Sequence, residues 1–191
     1  MGTGSSGSAA KPRRSAPPRV ELLRVGHRPG RDPRLTTHLA LVARAFGARR
    51  MHLHPPDPAV AESLNGVRER WGGTFEVLPA PTWKTVVRAA PGAVVHLTMY
   101  GEPLARLLPR LARERDLLLV VGGAKVPAAL YGAATFNVAV GSQPHSEVAA
   151  VAVVLERLLG LPGSRPMAGA RQRIVPQARG KRVVAREEGP A

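Results

Sequence analysis

At 191 residues the chain is long enough for one compact domain with tails, and its 44% hydrophobic content can fill a core, though only seven Trp, Tyr and Phe side chains contribute to it. There is no cysteine, which excludes disulfides and thiolate metal sites, and no run of about 18 apolar residues, which excludes a transmembrane helix. The formal net charge of +15 points to a polyanionic partner, above all nucleic acid.

Residues 1–19 are Gly-, Ser- and Pro-rich and carry Lys11, Arg13, Arg14 and Arg19 without an acid, so a disordered basic tail is expected there. They lack the apolar stretch of a secretory signal, and the expected location is the cytoplasm. Val20 to Val25 reads as the first strand. The loop Gly26 to Arg31 leads to a helix with Asp32 at its N-cap, Pro33 at its first position and Gly47 just past its end. Leu35, Leu39, Val42 and Phe46 recur at helical spacing and predict one buried stripe. Strands are then expected at 49–54, 74–78, 93–98 and 116–122, with helices at 57–71, 82–90 and 102–114. Phe136 to Val140 is the sixth strand. After a polar loop, Ser146 caps a helix to Leu159 whose buried face holds Val148, Val151, Ala152, Leu155, Leu158 and Leu159. Beyond it the sequence turns to Pro, Gly and Arg, so 161–191 reads as a basic tail with order only around Ile174 and Val175. Strands alternate with helices, and the later ones are apolar on both faces. This predicts an α/β fold over 20–160, a mostly parallel six-stranded sheet with helices on both faces.

Three polar loops follow the last strands: 97–101, 122–127 and 141–146. In a parallel α/β sheet such loops share the carboxyl edge and can converge on a ligand. The last is the densest in hydrogen-bonding groups, with Ser142, Gln143, His145 and Ser146 beside a helix start and Glu147 in the first turn. No G-x-G-x-x-G follows the first strand and no G-x-x-x-x-G-K-[ST] occurs anywhere, which disfavours dinucleotide and NTP sites. A second polar cluster lies in the first loop and helix: His27, Arg28, Arg31, Arg34 and His38. Arg34 stands in the first helical turn, where a cation opposes the helix dipole, so phosphate contact or catalysis accounts for it better than local stability. His52 and His54 alternate on a strand without a third ligand and read as surface residues.

The stretches GHRPGRDPRLTTHLALVARAFGA (26–48), HLTMYG (96–101), VVGGAKVP (120–127) and NVAVGSQPHSEVAAVAVVLERL (137–158) resemble the archaeal tRNA (cytidine(56)-2′-O)-methyltransferases of the SPOUT superfamily. The resemblance covers residues 20 to 160. It implies a C-terminal trefoil knot and a homodimer, with S-adenosylmethionine held by Leu97, by Gly122, Gly123, Ala124, Lys125 and Val126, and by Val140, Gly141, Ser142, Gln143, Pro144, His145, Ser146 and Glu147. Ala124 departs from the pattern, standing where an acidic residue is expected.

The chemistry follows from such a substrate. A ribose 2′-OH is a weak nucleophile, so the enzyme has to align oxygen, methyl carbon and sulfur and help the proton leave. An arginine near the hydroxyl can stabilise developing alkoxide charge and hold the adjacent phosphate; Arg31 and Arg34 are the candidates, with His38 a weaker one as general base. No metal is required. The alternative is a non-catalytic RNA-binding module derived from a methyltransferase.

Overall fold

The computed structural model describes residues 16–123, 126–163 and 165–185. Six strands form one wholly parallel sheet: β1 (Arg19–Val25), β2 (Arg50–His54), β3 (Glu76–Pro79), β4 (Ala93–Pro103), β5 (Asp116–Gly122) and β6 (Phe136–Ala139). Their spatial order is β3-β2-β1-β5-β4-β6. The expected α/β architecture is therefore present.

Side-chain alternation along the strands divides the core in two. Val20 and Leu22 of β1, with Leu117, Leu119 and Val121 of β5, pack toward α1 (Pro33–Ala45), α2 (Pro58–Trp71), α4 (Leu104–Leu111) and α6 (Glu147–Leu159). Leu23, Val25, Leu118 and Val120 point the other way, against Trp83 of α3 (Trp83–Arg88) and Leu130 of α5 (Ala129–Ala133). Leu117 through Val121 are all buried, each such side chain worth roughly 1.5–3 kcal/mol relative to exposure, which is why this strand is apolar on both faces.

Helix α1 starts where expected, but its buried face is rotated by about one position. Thr36, Leu39, Ala40 and Ala43 are buried, Val42 and Phe46 are half-buried, and Leu35 is exposed. The small side chains of Ala40 and Ala43 let α1 approach its neighbours closely, and the larger residues flank that contact. The expected helix at 102–114 is shorter because β4 continues to Pro103. Leu97 and Glu102 both stand opposite Val138, so residues 98–101 bulge out of the sheet between them.

The ends also differ from expectation. Arg19 opens β1, its Nε and Nη2 donating to the Asp116 carboxylate at 2.6 and 2.5 Å. In place of an irregular tail, β7 (Gln172–Ile174) and β8 (Val183–Ala185) form an antiparallel hairpin. The segment before it is fastened to the end of α2: Gly73 N–H donates to the Ala168 carbonyl (2.8 Å) and Arg171 N–H to that of Arg70 (3.1 Å). Gly72 has φ of 71°, and a Cβ there would collide with the Ala168 carbonyl oxygen. Two three-residue strands leave no periodic pattern in a sequence, so this docking could not be read from hydrophobic spacing. Residues 1–15, 186–191, Ala124, Lys125 and Ser164 lie outside the described residues.

Candidate active site

The strand order explains why four loops meet. β5, β4 and β6 are neighbours, so their carboxyl ends bring Leu97, Gly122 and Val140 to one edge; β1 lies beside β5, so the loop at 26–32 arrives there too. A cleft of about 520 Å³ opens at that edge. Its wall holds the predicted Leu97, Gly122, Gly123, Val126, Val140, Pro144, His145, Ser146 and Glu147. Gly141, Ser142 and Gln143 belong to the same loop and are exposed, but do not form the wall; Ala124 and Lys125 lie outside the described residues. A Cβ on Gly122 would run into Val126 and stand 3.3 Å from the Val25 carbonyl oxygen, so a side chain there would displace Val126 from the cleft wall. Ser146 caps α6 as expected, its Oγ accepting from Val148 N–H at 3.2 Å, while His145 Nδ1 donates to the Gln143 carbonyl at 2.6 Å.

Some wall residues lie outside the expected loops, His96 and Tyr131 among them. His96 is buried at the base of the cleft, its Nδ1–H donating to Asn137 Oδ1 (2.9 Å) and its ring edge-to-face with Tyr131 at 4.7 Å. Burial lowers the His96 pKa, against a smaller opposing effect of Asn137. Tyr131 OH and Thr98 Oγ1 are 3.2 Å apart, and Tyr100 stands exposed on the bulge. The hydrogen bond from His96 to Asn137 crosses from β4 to β6, a pairing invisible until strand order is known.

The first-loop cluster divides. His27 is buried, with Nδ1 2.9 Å from Thr36 Oγ1 and Nε2 2.9 Å from Asp57 Oδ2. Arg28 donates from Nε and Nη2 to Asp32 at 2.9 Å each, so the Asp32 carboxylate serves Arg28 and does not cap α1. Those two members of the cluster are structural. Arg31, Arg34 and His38 are exposed and form no ion pair among the described residues. None of the three forms the cleft wall, but Leu35, in the same helical turn as Arg34, does.

His52 and His54 are only partly exposed: His52 Nε2 lies 3.1 Å from Glu21, and His54 Nδ1 donates to the Ala80 carbonyl at 2.9 Å. Among the described residues no group of three or more metal-ligating side chains occurs, and no helix is long and apolar enough to cross a membrane.

The fold, a parallel sheet with a cleft at its carboxyl edge, is shared with solved structures of RNA methyltransferases. The SpoU methyltransferase AviRb from Streptomyces viridochromogenes, solved with AdoMet, superposes with a TM-score of 0.57 at 16% identity, over 80% of this chain and 62% of that one. A structure described as an RNA 2′-O ribose methyltransferase gives 0.56 at 20% identity, over 81% and 60%. Both are longer proteins, of which this chain spans less than two thirds. Sequence narrows the class further. The profile of the tRNA ribose 2′-O-methyltransferase family (aTrm56) matches residues 71–184. The tRNA (cytidine(56)-2′-O)-methyltransferase of Archaeoglobus fulgidus is 48% identical over 165 residues, covering 86% of this chain and 98% of that one. Its counterpart from Thermococcus kodakarensis is 50% identical over 173 residues, covering 86% and 96%. The chain belongs to this family. The match runs to residue 184 and so takes in the C-terminal hairpin but for its last residue, although the resemblance read from the sequence ended at 160.

Proposed function

We propose that the protein transfers a methyl group from S-adenosylmethionine to the ribose 2′-OH of cytidine 56 in the tRNA T-loop. The observation that carries this reading is the cleft, walled by those loops whose sequences match the family. Its residues fit the methyl donor: Leu97, Val126, Val138 and Val140 offer an apolar wall, and burial of His96 favours a neutral ring in the wall of a cleft that would take a cationic ligand. The bound donor supplies a methyl group already activated by positive sulfur. Leu97, Gly122 to Val126 and the loop 140–147 hold and orient it.

The chain's own task is alignment and charge. Arg31 and Arg34, at the exposed start of α1, hold the phosphate next to the ribose and stabilise the alkoxide as the proton leaves. Their guanidiniums have no ion-pair partner among the described residues, which leaves them available to RNA. The resemblance further implies a C-terminal trefoil knot and a homodimer with the cleft near its interface, and the expected location is the cytoplasm. The relatives are methyltransferases by name, which weighs against the non-catalytic alternative.

Calorimetric titration tests the site directly. S-adenosylmethionine should bind and NADH should not. The double substitution Gln143→Ala with His145→Ala should weaken the binding without unfolding the protein; unchanged affinity would remove the loop from the site.

A further inference from the structure

Arg24 is the anomaly of the central strand. It sits between apolar residues of β1, only 1% exposed, on the face that meets α1 and α6. Its guanidinium lies between the starts of those two helices. Nη1 meets Glu147 Oε2 at 2.5 Å, and Nη2 lies 4.0 Å from Asp32 Oδ2, which Arg28 also holds. A Cβ on Gly123 would stand 4.0 Å from the same Nη2. Each neighbour marks a loop of the cleft. Asp32 ends the arginine-bearing loop, Gly123 leads out of β5, and Glu147 follows directly on the loop 140–146. One buried side chain therefore pairs with Glu147, approaches Asp32 and lies beside Gly123, at the junction of all three loops.

Stability alone is a poor reason for this arrangement. Taking the ions of a buried pair out of water costs several kcal/mol per ion, and well-packed apolar residues commonly serve the core as well or better. Burial raises the Glu147 pKa and lowers that of Arg24, each against the pull of the other's charge, and Arg24 Nε is buried without a hydrogen-bond partner among the described residues. What a planar guanidinium does provide is fixed geometry between two carboxylates, which the point charge of a lysine cannot reproduce.

We propose that Arg24 is a positioning residue that sets the arginine-bearing loop against the donor-binding loop, so that Arg31 or Arg34 meets the ribose oxygen at the distance the transfer needs. The proposal rests on the function inferred above. Displacements of about 1 Å far from a reacting centre can cost on the order of 10²-fold in rate.

Arg24→Lys, which keeps the buried charge, and Arg24→Met with Glu147→Met, which removes the pair, should be compared with the unmodified protein. The measurements are melting temperature, S-adenosylmethionine affinity, and single-turnover methylation of a tRNA transcript at saturating donor and tRNA. The Lys variant should melt and bind donor like the unmodified protein yet methylate at least about 10-fold more slowly, within the range expected of a misplaced loop. The double variant should fold and also be slow at saturation. Unmodified rates in either folded variant would overturn the proposal, and so would a loss of rate that merely tracks melting temperature or donor affinity. An unmodified protein that binds S-adenosylmethionine but methylates no tRNA would instead sink the proposed function itself.

Discussion

His27 and Asp57 join the first loop to the second helix. The imidazole Nε2 lies 2.9 Å from Asp57 Oδ2, and Oδ1 of the same carboxylate accepts from Ala59 N–H at 3.0 Å to cap α2. The other ring nitrogen engages Thr36 of α1, so one buried side chain fixes the loop that presents Arg31 and Arg34.

His27→Ala should therefore cost roughly 1–3 kcal/mol, because it leaves the buried Thr36 hydroxyl and part of the Asp57 carboxylate without their partner. Urea unfolding measures this, and a variant as stable as the parent would contradict it. The hydrogen bond from His27 is the largest of the effects that hold the Asp57 carboxyl below its ordinary value of 3.8. A lowered carboxylate pKa contributes stability that is present above that ordinary value and is lost as pH falls through the folded-state value. Asp57→Asn should remove this part of the acid sensitivity.

His96 predicts a second pH effect with the same sign. Burial lowers its pKa from 6.5, so the fold favours the neutral ring. Its contribution to stability is complete above 6.5 and declines as pH drops toward the lowered folded-state value. Protonation would also put a cation in the wall of the cleft proposed to take the cationic donor. His96→Phe should flatten both the stability profile and the donor-affinity profile between about pH 5 and 7, near the ordinary His range. Identical profiles for variant and parent would exclude His96 as the titrating group.

What the sequence disclosed and what it withheld follow one rule. Local signals were sound: Pro33 after Asp32 at the start of α1, Ser146 at the start of α6, and the apolar run Leu117 to Val121 all formed as read. The polar loops at 97–101, 122–127 and 141–146 were legible because the residues of each are contiguous, and the structure brings all three to one cleft. Relations between strands were not. His96 with Asn137, and Arg24 with Glu147, are 41 and 123 residues apart and meet only through the sheet order. His27 and Arg28 looked like free functional groups because their partners Thr36, Asp57 and Asp32 could not be assigned from spacing. Helix α5, with five residues including Gly132, is too short to show a helical period, so Tyr131 was missed.

The C-terminal hairpin supports a prediction about RNA. Arg171, Arg173, Arg179, Lys181 and Arg182 are exposed on and around it, and its stem is fixed by the docking at Gly72. Gly72→Val should release the segment, seen as faster amide exchange at Ala170 and Arg171, whose N–H groups bond to Met167 and Arg70. Deleting residues 162–191 should lower affinity for all RNAs alike and flatten the salt dependence of binding, since phosphate contacts carry that dependence. A deletion that changed which nucleotide is modified would make the hairpin part of the recognition surface.

The reaction itself is tested most directly with a tRNA transcript carrying a single 2′-deoxy sugar at cytidine 56. Phosphate contacts dominate affinity, so this tRNA should still bind. It should accept no methyl group from labelled S-adenosylmethionine, whereas the all-ribose transcript is methylated at that position, because only the latter presents the hydroxyl. Label incorporated into the deoxy-substituted tRNA would place the methyl group elsewhere and contradict ribose 2′-O transfer at this cytidine.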